Sequence, residues 1–265
     1  MSQSQNVNTL FDNAVDDGAL TKQSANIFKG VTDIGAQIQN GLGVDVDDVK
    51  ASEVVLVNIL IDDSGSISCI PSGSDIMCSG HNMIVDEILS ASKKHDSILL
   101  HTRYLNGKVL NPYGQLTNCQ RMNSRNYSAD GGTPLYDQCV IFLGTVMAKA
   151  QEFSDNGVPV RTITLIITDG DDLHSRNNRA RDVASIVTDM RRSENHIIAA
   201  MGIDDGDTDF RQVFADMGID PKWILLPSSD PHEIGKSFKL FSQSASRASQ
   251  NAASFSKTAM GGFGN

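Results

Sequence analysis

The stretch from Glu53 to Ile61, EVVLVNILI, constrains the fold more than any other. It is a nearly continuous run of β-branched and aliphatic residues, without the alternation that marks a strand with one wet face. Runs of this kind are buried on both sides, and strands buried on both sides belong to parallel sheets covered by crossover helices. A central strand of a parallel sheet is therefore expected here.

The rest of the chain is consistent with that reading. A helical stretch is expected around His81 to Lys94, then a strand over Ser97 to Leu105. A short edge strand near Lys108 to Leu110 follows the turn dipeptide Asn106-Gly107, which makes a hairpin. Pro134 sits where a first helical turn tolerates proline, and Leu135, Cys139, Phe142 and Val146 follow at helical spacing. Strand and helix then alternate: strand 161–168, helix 179–193, strand 196–203, helix 209–217, strand 222–226 and a helix from Asp230 onward. This order implies right-handed βαβ units. The expected fold class is α/β, doubly wound, with a mostly parallel central sheet, helices on both faces and one short antiparallel edge strand.

The two ends differ from this body, which divides the chain into an N-terminal helical extension (1–50), a central domain (51–240) and a C-terminal segment (241–265). Ile27, Val31, Ile34 and Ile38 form one amphipathic helical stripe that needs a surface. The Ser/Ala/Gly-rich end reads as a flexible tail over its last dozen residues. Yet Ile234, Phe238, Phe241, Ala245, Ala248, Ala252 and Phe255 alternate fours and threes, so the last helix can continue as an extension packed on the N-terminal one.

Charge and cysteine usage exclude several classes. With 22 Lys plus Arg against 32 Asp plus Glu, the net charge of -10 opposes binding to nucleic acid or anionic membrane. Arg176, Arg179 and Arg181 lie among Asp and Asn and read as a solvated helix face. No basic segment followed by an apolar run opens the chain, so a cytoplasmic protein is expected. The longest apolar runs are of strand length, well short of a membrane span. Cys69, Cys78, Cys119 and Cys139 form no CxxC pair, and reduced thiols are expected; Cys69 and Cys78 share one loop-like stretch and could meet under oxidation.

Candidate chemistry begins where the buried run ends, in Asp62-Asp63-Ser64-Gly65-Ser66. Asp62, Ser64 and Ser66 project oxygens at alternate positions from the carboxyl end of a strand, where open α/β sheets bind ligands. Thr133 in GGTPL and Asp169 in TLIITDG offer matching oxygens at two further crevice loops. Hydroxyls with a few carboxylates suit a hard cation such as Mg²⁺, whereas softer metals would want Cys or His. Taken singly, the hydroxyls could cap helices and Asp169 could be a turn residue. Five oxygen donors at three successive loops are harder to explain that way.

These strings resemble the metal-ion-dependent adhesion site of von Willebrand factor A domains: D-x-S-x-S, a Thr after Gly-Gly, and Asp in a T-D-G turn, over about residues 51–240. All five positions of that pattern are matched, at Asp62, Ser64, Ser66, Thr133 and Asp169. The resemblance implies direct ligation by Ser64, Ser66 and Thr133, with Asp62 and Asp169 holding bound waters. It also implies Mg²⁺ or Mn²⁺ in preference to Ca²⁺, and an open position for an Asp or Glu of a partner protein. Bacterial stand-alone members of the family work beside AAA+ ATPases or in tellurite and stress-response clusters, and the compact GGTPL form is similar to those.

Asp63, Asp171 and Asp172 read as solvated rim carboxylates without a coordinating role. The string Asp204 to Asp209 lacks a glycine at the sixth position, where a calcium loop needs one, and Asp209 reads as a helix N-cap. None of the six His falls in a metal-binding or catalytic pair. A haloacid-dehalogenase-like phosphatase using Asp62 is the alternative, but its general acid would have to stand at position 64, which is Ser. A subtilisin-like triad lacks its serine context. The expected protein is a non-enzymatic binding module.

Overall fold

A computed structural model describes residues 7–91 and 95–263, without the side chains of Ile34 and His95. Six strands form one sheet: β1 (Val54–Ile61), β2 (Ile98–Tyr104), β3 (Val109–Gln115), β4 (Val160–Thr168), β5 (His196–Gly202) and β6 (Ile224–Leu225). Their order is β3-β2-β1-β4-β5-β6, with β3 antiparallel on one edge and every other pair parallel. All eight residues of β1 are buried. Mid-strand, the Asn58 amide donates to the Leu56 and Ile163 carbonyls and to Thr164 Oγ1, and its oxygen accepts from the Tyr113 hydroxyl. A buried amide must be satisfied in this way, and doing so ties β1 to β3 and β4.

Nine helices are described: α1 (Val7–Asp16), α2 (Lys22–Lys29), α3 (Ile34–Leu42), α4 (Gly73–Ala91), α5 (Leu135–Asp155), α6 (Ala180–Arg192), α7 (Phe210–Asp216), α8 (Pro231–Ser249) and α9 (Ala252–Gly261). On β2, His101 stacks on Phe142 of α5 while the next residue, Thr102, bonds to His81 of α4 at 3.0 Å. Successive strand residues point to opposite faces, so α4 and α5 cover opposite sides of the sheet. α8 joins α4 on one side; α6 joins α5 on the other.

The N-terminal residues pack on the α5 side. Phe11 of α1 stacks on Phe28 of α2 at 4.8 Å between ring centres, and both are fully buried. Phe28 and Ile38 lie against Gly144 of α5, where a β-carbon would come within 3.1 and 2.9 Å of them. The expected single stripe Ile27–Val31–Ile34–Ile38 is thus two helices, separated after Lys29 by the cap residue Gly30; the side chain of Ile34 lies outside the described residues. α3 lies beside α5 and against β3.

Among the described residues the C-terminal stripe packs chiefly against α4 and not, as expected, against the N-terminal helices. Phe238 of α8 fills the gap at Gly80 of α4, where a β-carbon would sit 2.3 Å from its ring. Each of Phe28 and Phe238 is received by a glycine on a different helix, which sends the two ends to opposite faces. α8 stops at Ser249, Asn251 caps α9 by accepting from Ser254 N, and the Phe263 ring meets Trp223 edge-on at 4.8 Å. The expected tail is therefore helical through Gly261.

α4 also departs from expectation by starting at Gly73, so Cys78 lies on a helix and not in a loop; the expected end at Lys94 lies outside the described residues. All four cysteines are free. Among the described residues no helix is long and apolar enough to cross a membrane.

Candidate metal centre

β1 and β4 are adjacent and parallel, and the chain leaves them toward opposite sides of the sheet. Their carboxyl ends thus frame the crevice of a topological switch point. Asp62 follows β1 directly and is fully buried. Its Oδ1 accepts from Ser64 N at 2.7 Å, and its Oδ2 accepts from Thr168 Oγ1 at 2.8 Å and Asp169 N at 3.3 Å. One carboxylate therefore ties both strand ends together. Tyr127 supports it from behind, donating to the Asp62 carbonyl at 2.7 Å.

The hydroxyls of Ser64 and Ser66 lie 2.8 Å apart, and both reach Asp169 Oδ1, at 3.3 and 2.8 Å. A parallel bridge pairs Ser64 with Gly131, and Gly65 N donates to the Gly131 carbonyl at 3.1 Å. Thr133, two residues on, is thereby carried to the same edge and is buried. Its own backbone is fixed by the loop after β4: Thr133 N donates to His174 Nδ1 at 2.9 Å, and its carbonyl accepts from Leu173 N and His174 N. Asp62, Ser64, Ser66 and Asp169 form one hydrogen-bonded cluster, and Thr133 stands on the adjoining loop.

The cluster is short of positive charge. Burial, then the nearby Asp62 charge, pushes the Asp169 carboxyl up to about 6, although Ser66 and Ser64 donate to it. Among the described residues no Lys or Arg pairs with Asp62, Asp63 or Asp169. Converging carboxylates and hydroxyls without sulfur or imidazole are the donor set of a hard cation, and a cation would relieve the repulsion. Among the described residues no three His, Cys, Asp or Glu side chains cluster to hold a metal, so an ion in this crevice has to use hydroxyl oxygens.

Two neighbours, Asp63 and Asp172, differ from the solvated rim carboxylates expected, whereas Asp171 is exposed as expected. Asp63 is not a solvated rim residue: it is 1% exposed, and its Oδ1 accepts from Asn106 N at 3.0 Å. Burial pushes its carboxyl up to about 7. Asp172 accepts from Tyr136 N and from the Ser175 hydroxyl, holding the loop after β4 to the start of α5. Asp171 is exposed and takes the Tyr136 hydroxyl at 3.3 Å. His174 positions Thr133, a role that no local spacing announces. Elsewhere Asp209 caps α7 through Gln212 N, as its place in the sequence indicates. Of the three arginines only Arg181 lies on α6.

Solved structures share this architecture. The vWF domain of the type V pili tip protein Mfa5 from Porphyromonas gingivalis aligns over 76% of this chain and 98% of its own, at 11% identity and TM-score 0.53. The fold is of the von Willebrand factor A type. The pilus adhesin SpaC from Lactobacillus rhamnosus GG matches this vWA fold over 75% of the chain at 12% identity and TM-score 0.53. Proximal thread matrix protein 1 of the mussel byssus, whose structure has a zinc-occupied MIDAS motif, matches over 75% at 15% identity and TM-score 0.50. The chain spans 31% of the adhesin and 47% of the mussel protein. No protein-family model matches the sequence, and no curated protein does.

Proposed function

We propose that this vWA domain is a metal-dependent protein-binding module in which Asp62, Ser64, Ser66, Thr133 and Asp169 hold Mg²⁺ or Mn²⁺. The observation that carries the reading is the convergence of the Ser64 and Ser66 hydroxyls on Asp169, beside Asp62, with no Lys or Arg among the described residues paired to these carboxylates. Neutral hydroxyls leave the ion's charge partly uncompensated, so an Asp or Glu of a partner protein completes its shell. No nucleophile–base pair takes part in this reading, which is of a non-enzyme.

In this arrangement residues 51–240 carry the site and the helices of 1–50 and 241–265 brace its two faces. The setting we propose is the bacterial cytoplasm, in a stress-response or AAA+ ATPase-associated complex. Calorimetry with Mg²⁺ and Mn²⁺ on the wild type and on Ser64→Ala/Ser66→Ala tests the metal, and equal binding by both proteins refutes the site. Affinity capture with and without chelator tests the partner. A set of bound proteins indifferent to chelator refutes the gripping role.

A further inference from the structure

Leu173 stands in the loop after β4 with 75% of its surface open to water, one of four large apolar residues exposed among the described residues. The others lie elsewhere: Met83 on α4, Leu226 just past β6 and Met260 on α9. A single exposed apolar side chain is ordinary on a protein surface. Position sets this one apart. Its N–H donates to the Thr133 carbonyl at 3.1 Å, which makes it the hydrogen-bonded neighbour of a residue proposed to hold the metal.

The loop that carries Leu173 is tied to the segments beside the crevice. The His174 ring accepts from Thr133 N and lies against Gly132, where a β-carbon would come within 3.1 Å of it. Asp171 takes the Tyr136 hydroxyl, Asp172 takes Tyr136 N and the Ser175 hydroxyl, and Asp137 of α5 accepts from Arg176 N and Asn178 N. The polar side chains flanking Leu173 thus have partners within the fold, while the leucine projects into water. A contact residue on a backbone held in this way loses little freedom on binding.

We infer that a partner seated on the metal covers Leu173, and that its acidic residue has an apolar residue within two positions of it. This rests on the metal-dependent reading proposed above. Hydrogen-bonded backbone neighbours have α-carbons about 5.5 Å apart, and residues i and i+2 of an extended segment share a face at about 7 Å, so an acid on the ion brings such a side chain to Leu173. Covering the leucine also removes water from beside the ion, and the lower dielectric strengthens the ion's attraction for the carboxylate.

The test uses a displayed library of peptides with a fixed central Asp or Glu and random flanks, selected on the full chain in Mg²⁺ and eluted with EDTA. Eluted sequences are expected to be enriched in Leu, Ile, Met or Phe within two positions of the acid. Leu173→Ser is expected to bind a selected peptide about fivefold to thirtyfold more weakly, as losing most of a leucine's burial implies. Its Mg²⁺ affinity by calorimetry should hold, because Leu173 meets Thr133 through its backbone. Met260→Ser, equally exposed on α9, is expected to bind the peptide as the wild type does. Full peptide affinity in Leu173→Ser, flanks without apolar preference, or no EDTA-eluted sequence from a chain that binds Mg²⁺ overturns the inference and leaves the metal site standing. So does a loss of peptide affinity in Leu173→Ser matched by an equal loss of Mg²⁺ affinity. A wild type that binds no divalent ion removes the metal reading and this inference with it.

Discussion

Replacing Asp169 by Asn separates what the crevice's charge costs from what it is for. Without a cation, the Asp169 carboxyl is raised from 3.8 to about 6 by burial and by Asp62. A group of this kind favours the folded state only while protonated. Its penalty is absent below about 3.8, grows as pH rises toward about 6, and is constant above. The shift corresponds to about 3 kcal/mol at neutral pH, and to roughly 1–2 kcal/mol once solvent at the crevice mouth is allowed for. Asn removes the charge but keeps an oxygen where Ser66 donates at 2.8 Å. In EDTA at pH 7.5, Asp169→Asn should therefore melt about 3–6 °C above the wild type. Its advantage should shrink as pH falls below about 6. With Mg²⁺ at a hundred times its dissociation constant the wild type gains about 2.7 kcal/mol and overtakes the variant, which gains nothing. A variant less stable than wild type in EDTA, or one stabilised equally by Mg²⁺, would refute the electrostatic reasoning.

His81 is fully buried and its imidazole is pulled down to about 4, mainly by burial, so it must stay neutral in the fold. Its contribution is complete above about 6.5 and is lost as pH falls toward 4; urea melts of His81→Gln should show a pH slope in that window shallower by up to about 1.4 kcal/mol per unit. Gly80→Ala should cost about 1–3 kcal/mol in denaturant melts, because its β-carbon would sit 2.3 Å from the Phe238 ring. In a Phe238→Leu background most of that cost should vanish. Phe28→Ala should cost about 3–5 kcal/mol and leave unfolding a single transition, since Phe28 joins α1 and α2 to α5; a separate early transition would mean that the N-terminal helices melt alone.

The sheet was legible because its signal is local. β1 and β4 are dense in β-branched residues, β5 is a short apolar run, and Pro134, Asp209 and Asp230 mark helix starts by their own chemistry. Asp62, Ser64, Ser66 and Asp169 were legible as a set because each lies next to a strand end. What escaped notice depends on distant partners. Asp63 is buried by a backbone N–H 43 residues away, and Thr133 is held by His174, 41 residues on. The start of α4 looked like a loop because Gly73, Ser74, Ser79 and Gly80 are poor helix formers, yet Gly80 is what lets Phe238 in. Likewise the stripe from Ile27 to Ile38 keeps helical spacing across a break, and periodicity cannot see a break that preserves phase.

The crevice and α9 stand at opposite ends of the strands. Phe255 lies under the Arg161 guanidinium at the start of β4, and Phe263 N donates to the Lys222 carbonyl just ahead of β6. A pull between something held at Asp169 and something fastened beyond Gly261 would run along the strand axes. Rows of hydrogen bonds loaded lengthwise must slip together, not open one by one, and Asn58 pins the middle row by tying β1 to its neighbour β4 and, through Tyr113, to the edge strand β3. Such a pull would load the central sheet in shear, along its strands.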